Sequence, residues 1–179
     1  MTYGKLAIQG SALNPSLGTA QSFAGQTSRT FSLTATGIQR LTIGLNQLTG
    51  GGTNSVIVRL GSSSGIVNSG YLLKGIVWTL SGGSINRSFS SDTTGFVLVN
   101  PGVSGFVHSG ILVASLVDAD NFIYDFSGQW GESTSPAGVG RIGETTGRIT
   151  LPSELTQFQV STIAGTDVFA AGTVGFFTE

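Results

Sequence analysis

Apolar residues recur at every second position through most of this chain, and hardly anywhere at the three-and-four spacing that gives a helix its buried stripe. Phe31, Leu33 and Ala35 alternate with Thr30, Ser32 and Thr34, and Leu41, Ile43 and Leu45 alternate with Arg40, Thr42, Gly44 and Asn46. A period of two puts one row of side chains on each face of a strand, so the pattern predicts sheets with one buried face. The first two rows read as successive strands joined by a turn at Thr36-Gly37. Further strands are expected over residues 56–60, 71–80, 84–92 and 95–99, separated by the glycine-rich segments Gly50-Gly51-Gly52-Thr53-Asn54, Gly61-Ser62-Ser63-Ser64-Gly65 and Gly82-Gly83.

Asn100-Pro101-Gly102 is a strong turn signal, because proline presets one backbone angle and glycine accepts the other. The longest sheet-like run follows at 105–117, and Asp118-Ala119-Asp120-Asn121 separates it from Phe122, Tyr124 and Phe126, which share a face; this predicts a hairpin. Residues 131–143 are rich in Gly, Ser, Thr and Pro and read as the longest loop of the second half, a segment of the kind that often carries function. Strands at 146–151, 155–163 and 168–177 complete the set. The last two read as a hairpin turning at Ala164-Gly165-Thr166-Asp167, with Phe176-Phe177-Thr178-Glu179 leaving no expected tail beyond the sheet. Such a succession of short strands and glycine-rich turns predicts an all-β fold, a single jelly-roll-like antiparallel β-sandwich with a short N-terminal arm.

The arm is assigned to residues 1–25 and the sandwich domain to 26–179, with an ordinary edge strand as the other reading of the first segment. Tyr3, Leu6, Ile8 and Leu13 are the candidate docking contacts of the arm. Charge is scarce: 9% of the 179 residues are Asp, Glu, Lys or Arg, against about a quarter in an average protein, and the net charge is -1. A surface of this kind has no basic stripe for a phosphate backbone, so nucleic acid is not an expected partner. It also lacks the Lys and Glu residues that normally blunt sheet edges, which points to a surface covered by further copies or by a larger assembly. No stretch approaches ~18 uninterrupted apolar residues, and the first residues lack the apolar core of a secretory signal; neither membrane insertion nor export by the usual route is expected.

Catalytic signals are thin. With no cysteine in the chain, disulfides, thiolate metal sites and cysteine nucleophiles are excluded. Gly61-Ser62-Ser63-Ser64-Gly65 satisfies the spacing of a hydrolase nucleophile elbow, but that device needs a strand-to-helix turn around Ser63 and no helix follows. His108 is the single histidine and sits in a predicted strand, where a hydrogen-bonded structural role is the plainer reading. Asp118, Asp120 and Asp125 form the densest carboxylate group; turn aspartates that bond their own backbone explain it without calcium. Glu132, Glu144 and Glu154 are the carboxylates that a glycoside hydrolase would use beside them, and their scatter supports no pairing. The expectation is therefore no enzyme, no cofactor and no metal. Trp130 and Glu132, at the start of the 131–143 segment, are the candidate contacts for a receptor or glycan, with a tryptophan sealing one end of the sandwich as the alternative.

One block of segments carries a likeness. Arg40-Leu41-Thr42-Ile43-Gly44-Leu45-Asn46, Val58-Arg59-Leu60-Gly61, Ser69-Gly70-Tyr71, Ser109-Gly110-Ile111-Leu112 and Leu155-Thr156-Gln157-Phe158-Gln159-Val160 follow in order, ending in Gly165-Thr166-Asp167-Val168-Phe169 and Ala171-Gly172-Thr173-Val174. This order, over residues 40–174, resembles a recurrent β domain of bacteriophage and prophage tail-fibre-like and virion accessory proteins. The resemblance implies a non-enzymatic virion structural protein and supplies no catalytic residues. Members of that family are typically long, with the domain at the distal end, whereas here the domain makes up nearly the whole chain. The expectation is an outward-facing capsid decoration (cement) or appendage subunit, homotrimeric, attached to the major capsid protein or a tail component and assembled into virions in the host bacterial cytoplasm. A tail-fibre-type receptor- or carbohydrate-binding module, with a host-surface glycan as partner, is the alternative.

Overall fold

A computed structural model describes residues 16–81, 84–98, 104–134 and 140–179. Strands β1 (Ser16–Ser22), β2 (Ser28–Ser32), β3 (Arg40–Gly50) and β4 (Val56–Ser62) come first, followed by the short β5 (Gly65–Ile66). The middle of the chain supplies β6 (Leu72–Ser81), β7 (Ser84–Ser90), β8 (Phe96–Leu98) and β9 (Phe106–Asp118). It closes with β10 (Ile123–Thr134), β11 (Gly140–Thr150), β12 (Gln157–Thr162) and β13 (Phe169–Thr178).

These strands form a two-sheet antiparallel β-sandwich. The larger sheet has eight strands in the order β1-β13-β3-β9-β10-β11-β6-β7; the smaller runs β2-β12-β4-β5, with β8 also paired to β4. The first four strands alternate between the sheets, and the last two are inserted among them. β13 lies between β1 and β3, and β12 lies between β2 and β4.

The final two strands therefore do not make the hairpin expected of residues 155–179. The turn is there: Gly165, at φ 71°, donates its N–H to the carbonyl of Thr162. It carries the chain from one sheet to the other. The connection is pinned from outside by Asp167, whose Oδ2 accepts from both the backbone N and Nδ2 of Asn54, at 3.1 and 3.0 Å. The turn at Gly37 likewise leads from β2 in one sheet to β3 in the other. The hairpin across residues 118–121 is present, joining β9 to β10, with one register shift between Ile123 and Tyr124 beside the turn.

Alternation along the strands fills the space between the sheets. In β3, Leu41, Ile43 and Leu45 are buried, and the inward rows of β4, β9 and β12 add Val58, Leu60, Leu112, Phe158 and Val160. Aromatic residues bridge the layers at two places. Phe31 of β2 and Phe158 of β12 sit opposite each other and stack with ring centroids 4.6 Å apart, while Phe176 of β13 meets both edge-on from the other sheet. Phe23 joins this group by stacking on Phe31 at 6.2 Å and meets Phe169 edge-on at 5.1 Å. At the second place Phe96 of β8 stacks on Phe126 of β10, centroids 3.8 Å apart, with Tyr71 edge-on to Phe96. Edge-to-face pairs are favoured because a ring's positive edge meets a negative face.

Residues 16–25 belong to this sandwich, so the arm expected over 1–25 is at least ten residues too long. β1 pairs with β13, and Phe23 is fully buried. Tyr3, Leu6, Ile8 and Leu13 lie outside the described residues.

Two tyrosine hydroxyls are buried and bonded. Tyr71 accepts from the Leu60 N–H at 2.9 Å and donates to the Val67 carbonyl at 2.9 Å, and Tyr124 donates to the Ile38 carbonyl at 3.0 Å. Burial disfavours the phenolate and pushes Tyr124 up to about 12, with Tyr71 raised further in the same direction. A pKa raised on folding contributes stability that is complete below the unfolded value of about 10 and is lost as pH rises. Stability is therefore expected to fall between about pH 10 and 12, and an ultraviolet titration should show both phenols ionising only with unfolding; either one ionising at pH 10 in the folded protein contradicts their burial.

Removal of residues 1–25 takes away β1 and Phe23, and Phe23→Ala alone should cost about 3–5 kcal/mol by chemical denaturation, the range for a fully buried phenylalanine.

Candidate functional site

The inner ends of β9, β10 and β11 carry a buried charged group. His108, Glu132 and Arg141 occupy adjacent register positions on these three strands and all face the core. Glu132 Oε1 accepts a hydrogen bond from Arg141, and its Oε2 lies 3.3 Å from His108 Nε2. Trp130 and Phe106 wall the imidazole, with ring centroids 6.3 and 4.5 Å away. Buried atoms without a partner among the described residues include His108 Nδ1, Trp130 Nε1 and Arg141 Nε.

Trp130 can lie there because Gly143 is opposite it on β11 and Gly110 opposite it on β9; a Cβ on Gly143 would overlap the indole ring. The glycines that make 131–143 read as a loop are thus, in part, those that let a tryptophan enter the sandwich. β10 continues as strand through Thr134 and β11 begins at Gly140, so most of the expected loop is paired sheet. Trp130 and Glu132 are 2% and 3% exposed, and neither presents a surface to a glycan. The alternative role of Trp130, sealing the sandwich interior, is the one its position fits.

The other sequence candidates are dispersed. Ser63 lies in the turn between β4 and β5 of the smaller sheet, where Ser62 and Ser64 bond each other at 2.8 Å, while His108 is enclosed within the larger sheet's inner face. Asp118 is committed to its own turn: Oδ1 accepts from the N–H groups of Asp120 and Asn121, and Oδ2 from Asn121 Nδ2 at 2.9 Å. Those bonds, with the Asn121 side chain first, hold its pKa below the usual carboxylate value. Asp125 faces Arg148 across β10 and β11 in a two-bond pair at 2.6 and 2.9 Å, which lowers Asp125 and raises Arg148. Glu144 accepts from Gln129 at 3.0 Å, and Glu154 is exposed after β11. No cluster of three metal-ligating side chains occurs among the described residues.

A groove that no local sequence motif marks runs over the outer face of the larger sheet. Its floor is β10 and β11, where Gln129–Glu144, Ser127–Thr146 and Asp125–Arg148 are successive cross-strand pairs. Neighbouring strands line it with apolar side chains: Ile111 and Val113 on β9, Ile76 on β6 and Phe89 on β7. Lining residues drawn from five adjacent strands mean that the sheet is concave there. The principal depression measures about 910 Å³, and a second of about 630 Å³ continues it past Lys74 and Ser127 to Leu72 and the Asp125–Arg148 pair. Phe89 is 72% and Ile111 59% exposed, so apolar side chains stand open to solvent on both sides of the trough. Together the depressions offer an open trough with a polar floor and apolar sides.

No family model, no curated protein and no solved structure matches this chain.

The buried and the exposed ion pair of this sheet should respond differently to mutation. Glu132→Ala leaves Arg141 buried without its carboxylate and should cost about 3–5 kcal/mol in urea unfolding, with much of that recovered in Glu132→Ala/Arg141→Leu. Arg148→Ala breaks a pair whose side chains are about half exposed, and the unfolding midpoint should hardly move.

Proposed function

We propose that this protein is a non-enzymatic subunit of a bacteriophage virion, an outward-facing decoration or appendage protein that acts by association. The observation that carries this reading is the edge strand β1. Its sequence, Ser-Leu-Gly-Thr-Ala-Gln-Ser, contains no charge and no proline, and Leu17 is 82% exposed. An edge strand offers unpaired N–H and C=O groups to any passing strand, and proteins that remain single usually defend it with lysine, proline or a covering element. Among the described residues such a strand pairs with β13 on one flank and with no strand on the other. A neighbouring subunit that adds to this edge would gain backbone hydrogen bonds and cover Leu17.

The scarcity of charge and the resemblance of residues 40–174 to phage virion β domains support the same reading. The residues behind that resemblance occupy the sandwich itself: Arg40 to Asn46 in β3, Phe158 to Val160 in β12 and Thr173 to Val174 in β13. With His108 buried and Ser63 on the other sheet, the described residues bring no nucleophile and base together in an open cleft. The proposed assembly is a trimer docked on the capsid lattice or on a tail component, with residues 1–15 aiding attachment.

Leu17→Lys and deletion of residues 1–15 should each leave a folded domain, judged by circular dichroism and melting temperature, that is depleted from purified particles. Incorporation of both variants at the wild-type level would sink the proposal. Gold labelling on intact particles would then distinguish head from tail, and sedimentation velocity would report the oligomer number.

A further inference from the structure

We infer that copies of this chain join head to tail, β1 of one subunit pairing with β7 of the next so that the larger sheet continues across the contact. The inference rests on the association proposed above for its β1 edge, and it names what occupies that edge. Both ends of the sheet offer a strand: among the described residues β1 pairs only with β13, and β7 only with β6. Every neighbouring pair in the sheet is antiparallel, so the outermost of its eight strands run in opposite directions. A second copy set alongside in the same orientation therefore brings its β1 antiparallel to β7, and neither molecule has to turn over.

Register then brings together the two most exposed large apolar side chains among the described residues. β1 and β7 are each seven residues long, and full antiparallel overlap sets Ser16 opposite Ser90 and Leu17 opposite Phe89. Both side chains stand on the outer face. Leu17 heads the row Phe177, Thr42, Val113 and Ser127 across the sheet, Phe89 heads the row Ile76, Glu144 and Gln129, and Ser127 and Gln129 are two positions apart on β10. In the single chain Leu17 is 82% and Phe89 72% exposed. Side chains directly opposed in an antiparallel pair have Cβ atoms about 4.5–5.5 Å apart, so each of the two covers the other.

Pairings of like with like are poorer. β7 is centred on Arg87, so two copies of β7 in full overlap set one guanidinium against another, a repulsive cross-strand pair. Two copies of β1 in full overlap place Leu17 opposite Gln21 and leave Phe89 uncovered. In the β1–β7 pairing Arg87 meets a strand without charge, beside the bulge between Gly18 and Gln21. That bulge shortens the regular ladder to the residues around Leu17, so the contact depends on the Leu17–Phe89 pair more than on backbone bonds. A contact between two different surfaces repeats from copy to copy until it closes a ring or extends as a filament, and the trimer proposed above is the ring of three.

Cysteine cross-linking tests the inference, because the chain has no cysteine of its own. Leu17→Cys and Phe89→Cys chains, mixed and oxidised with copper phenanthroline, should give a disulfide-linked dimer holding one chain of each, whereas either variant alone should stay monomeric on a denaturing gel. The Leu17→Cys/Phe89→Cys double variant should give bands that stop at three chains; a ladder past three supports the β1–β7 contact and overturns the trimer. In sedimentation velocity, Phe89→Lys and Leu17→Lys should each weaken self-association of the purified protein by at least about tenfold, with circular dichroism and melting temperature unchanged. A wild-type protein that stays monomeric at every concentration, a disulfide that forms within one single variant as readily as in the mixture, or a Phe89→Lys variant that associates like the wild type would overturn the inference. All of these measurements use free protein, so incorporation into particles, measured separately, reports on the virion reading alone.

Discussion

The sandwich depends on a group of phenylalanines drawn from the two ends of the chain. Phe23 and Phe31 come from its first described segment, Phe158, Phe169 and Phe176 from its last, and their rings touch between the sheets. Each sheet has a C-terminal strand inserted between two early ones, so without these contacts β1 and β2 would lose their partners, β13 and β12. The closing contacts join residues more than a hundred positions apart, and their loop entropy must be offset by apolar burial concentrated in few side chains. Large aromatic rings suit that demand because each buries much area at a small cost in rotamer freedom.

A second constraint is the Glu132–Arg141 ion pair with His108 beside it, set in a mainly apolar interior. Such groups contribute little net stability, since the desolvation of each charge offsets their attraction. They do penalise any register that separates the partners, and here the three side chains lie side by side on three adjacent strands. A one-residue slip of β10 against β11 would turn Glu132 out of the core and leave Arg141 unpaired. In a chain with so many glycine-, serine- and threonine-rich strands, where apolar pattern alone specifies register weakly, this supplies a local reason for one alignment.

Most strand positions are legible in the sequence, because alternation over residues such as Leu41, Ile43 and Leu45 reports directly on one buried face. Alternation does not say which strand lies alongside. β12 and β13 both have an inward row, and nothing in residues 155–179 distinguishes a hairpin from a step between sheets. Trp130 and Glu132 are hidden by their neighbours: Gly128 and Gly143 resemble loop glycines, although in the sheet they make room for the side chains of Leu112 and Trp130. Charge in so uncharged a chain suggests surface, yet Glu132 and Arg141 are inside, paired with each other between β10 and β11. The groove could not be read at all, since Lys74, Phe89, Ile111, Gln129 and Glu144 meet only once five strands are ordered.

The pairing of β1 with β13 also fixes how the domain bears load. Ser16 lies opposite Thr178, so the two ends of the described chain leave from the same end of one strand pair. Hydrogen bonds between antiparallel strands run across the strands, and a pull that separates Ser16 from Thr178 meets them one after another. The domain would open like a zipper under tension between its termini, whereas a pull along β1 against its neighbour must break many bonds together. Mechanical strength in this fold is thus a property of the direction in which it is held.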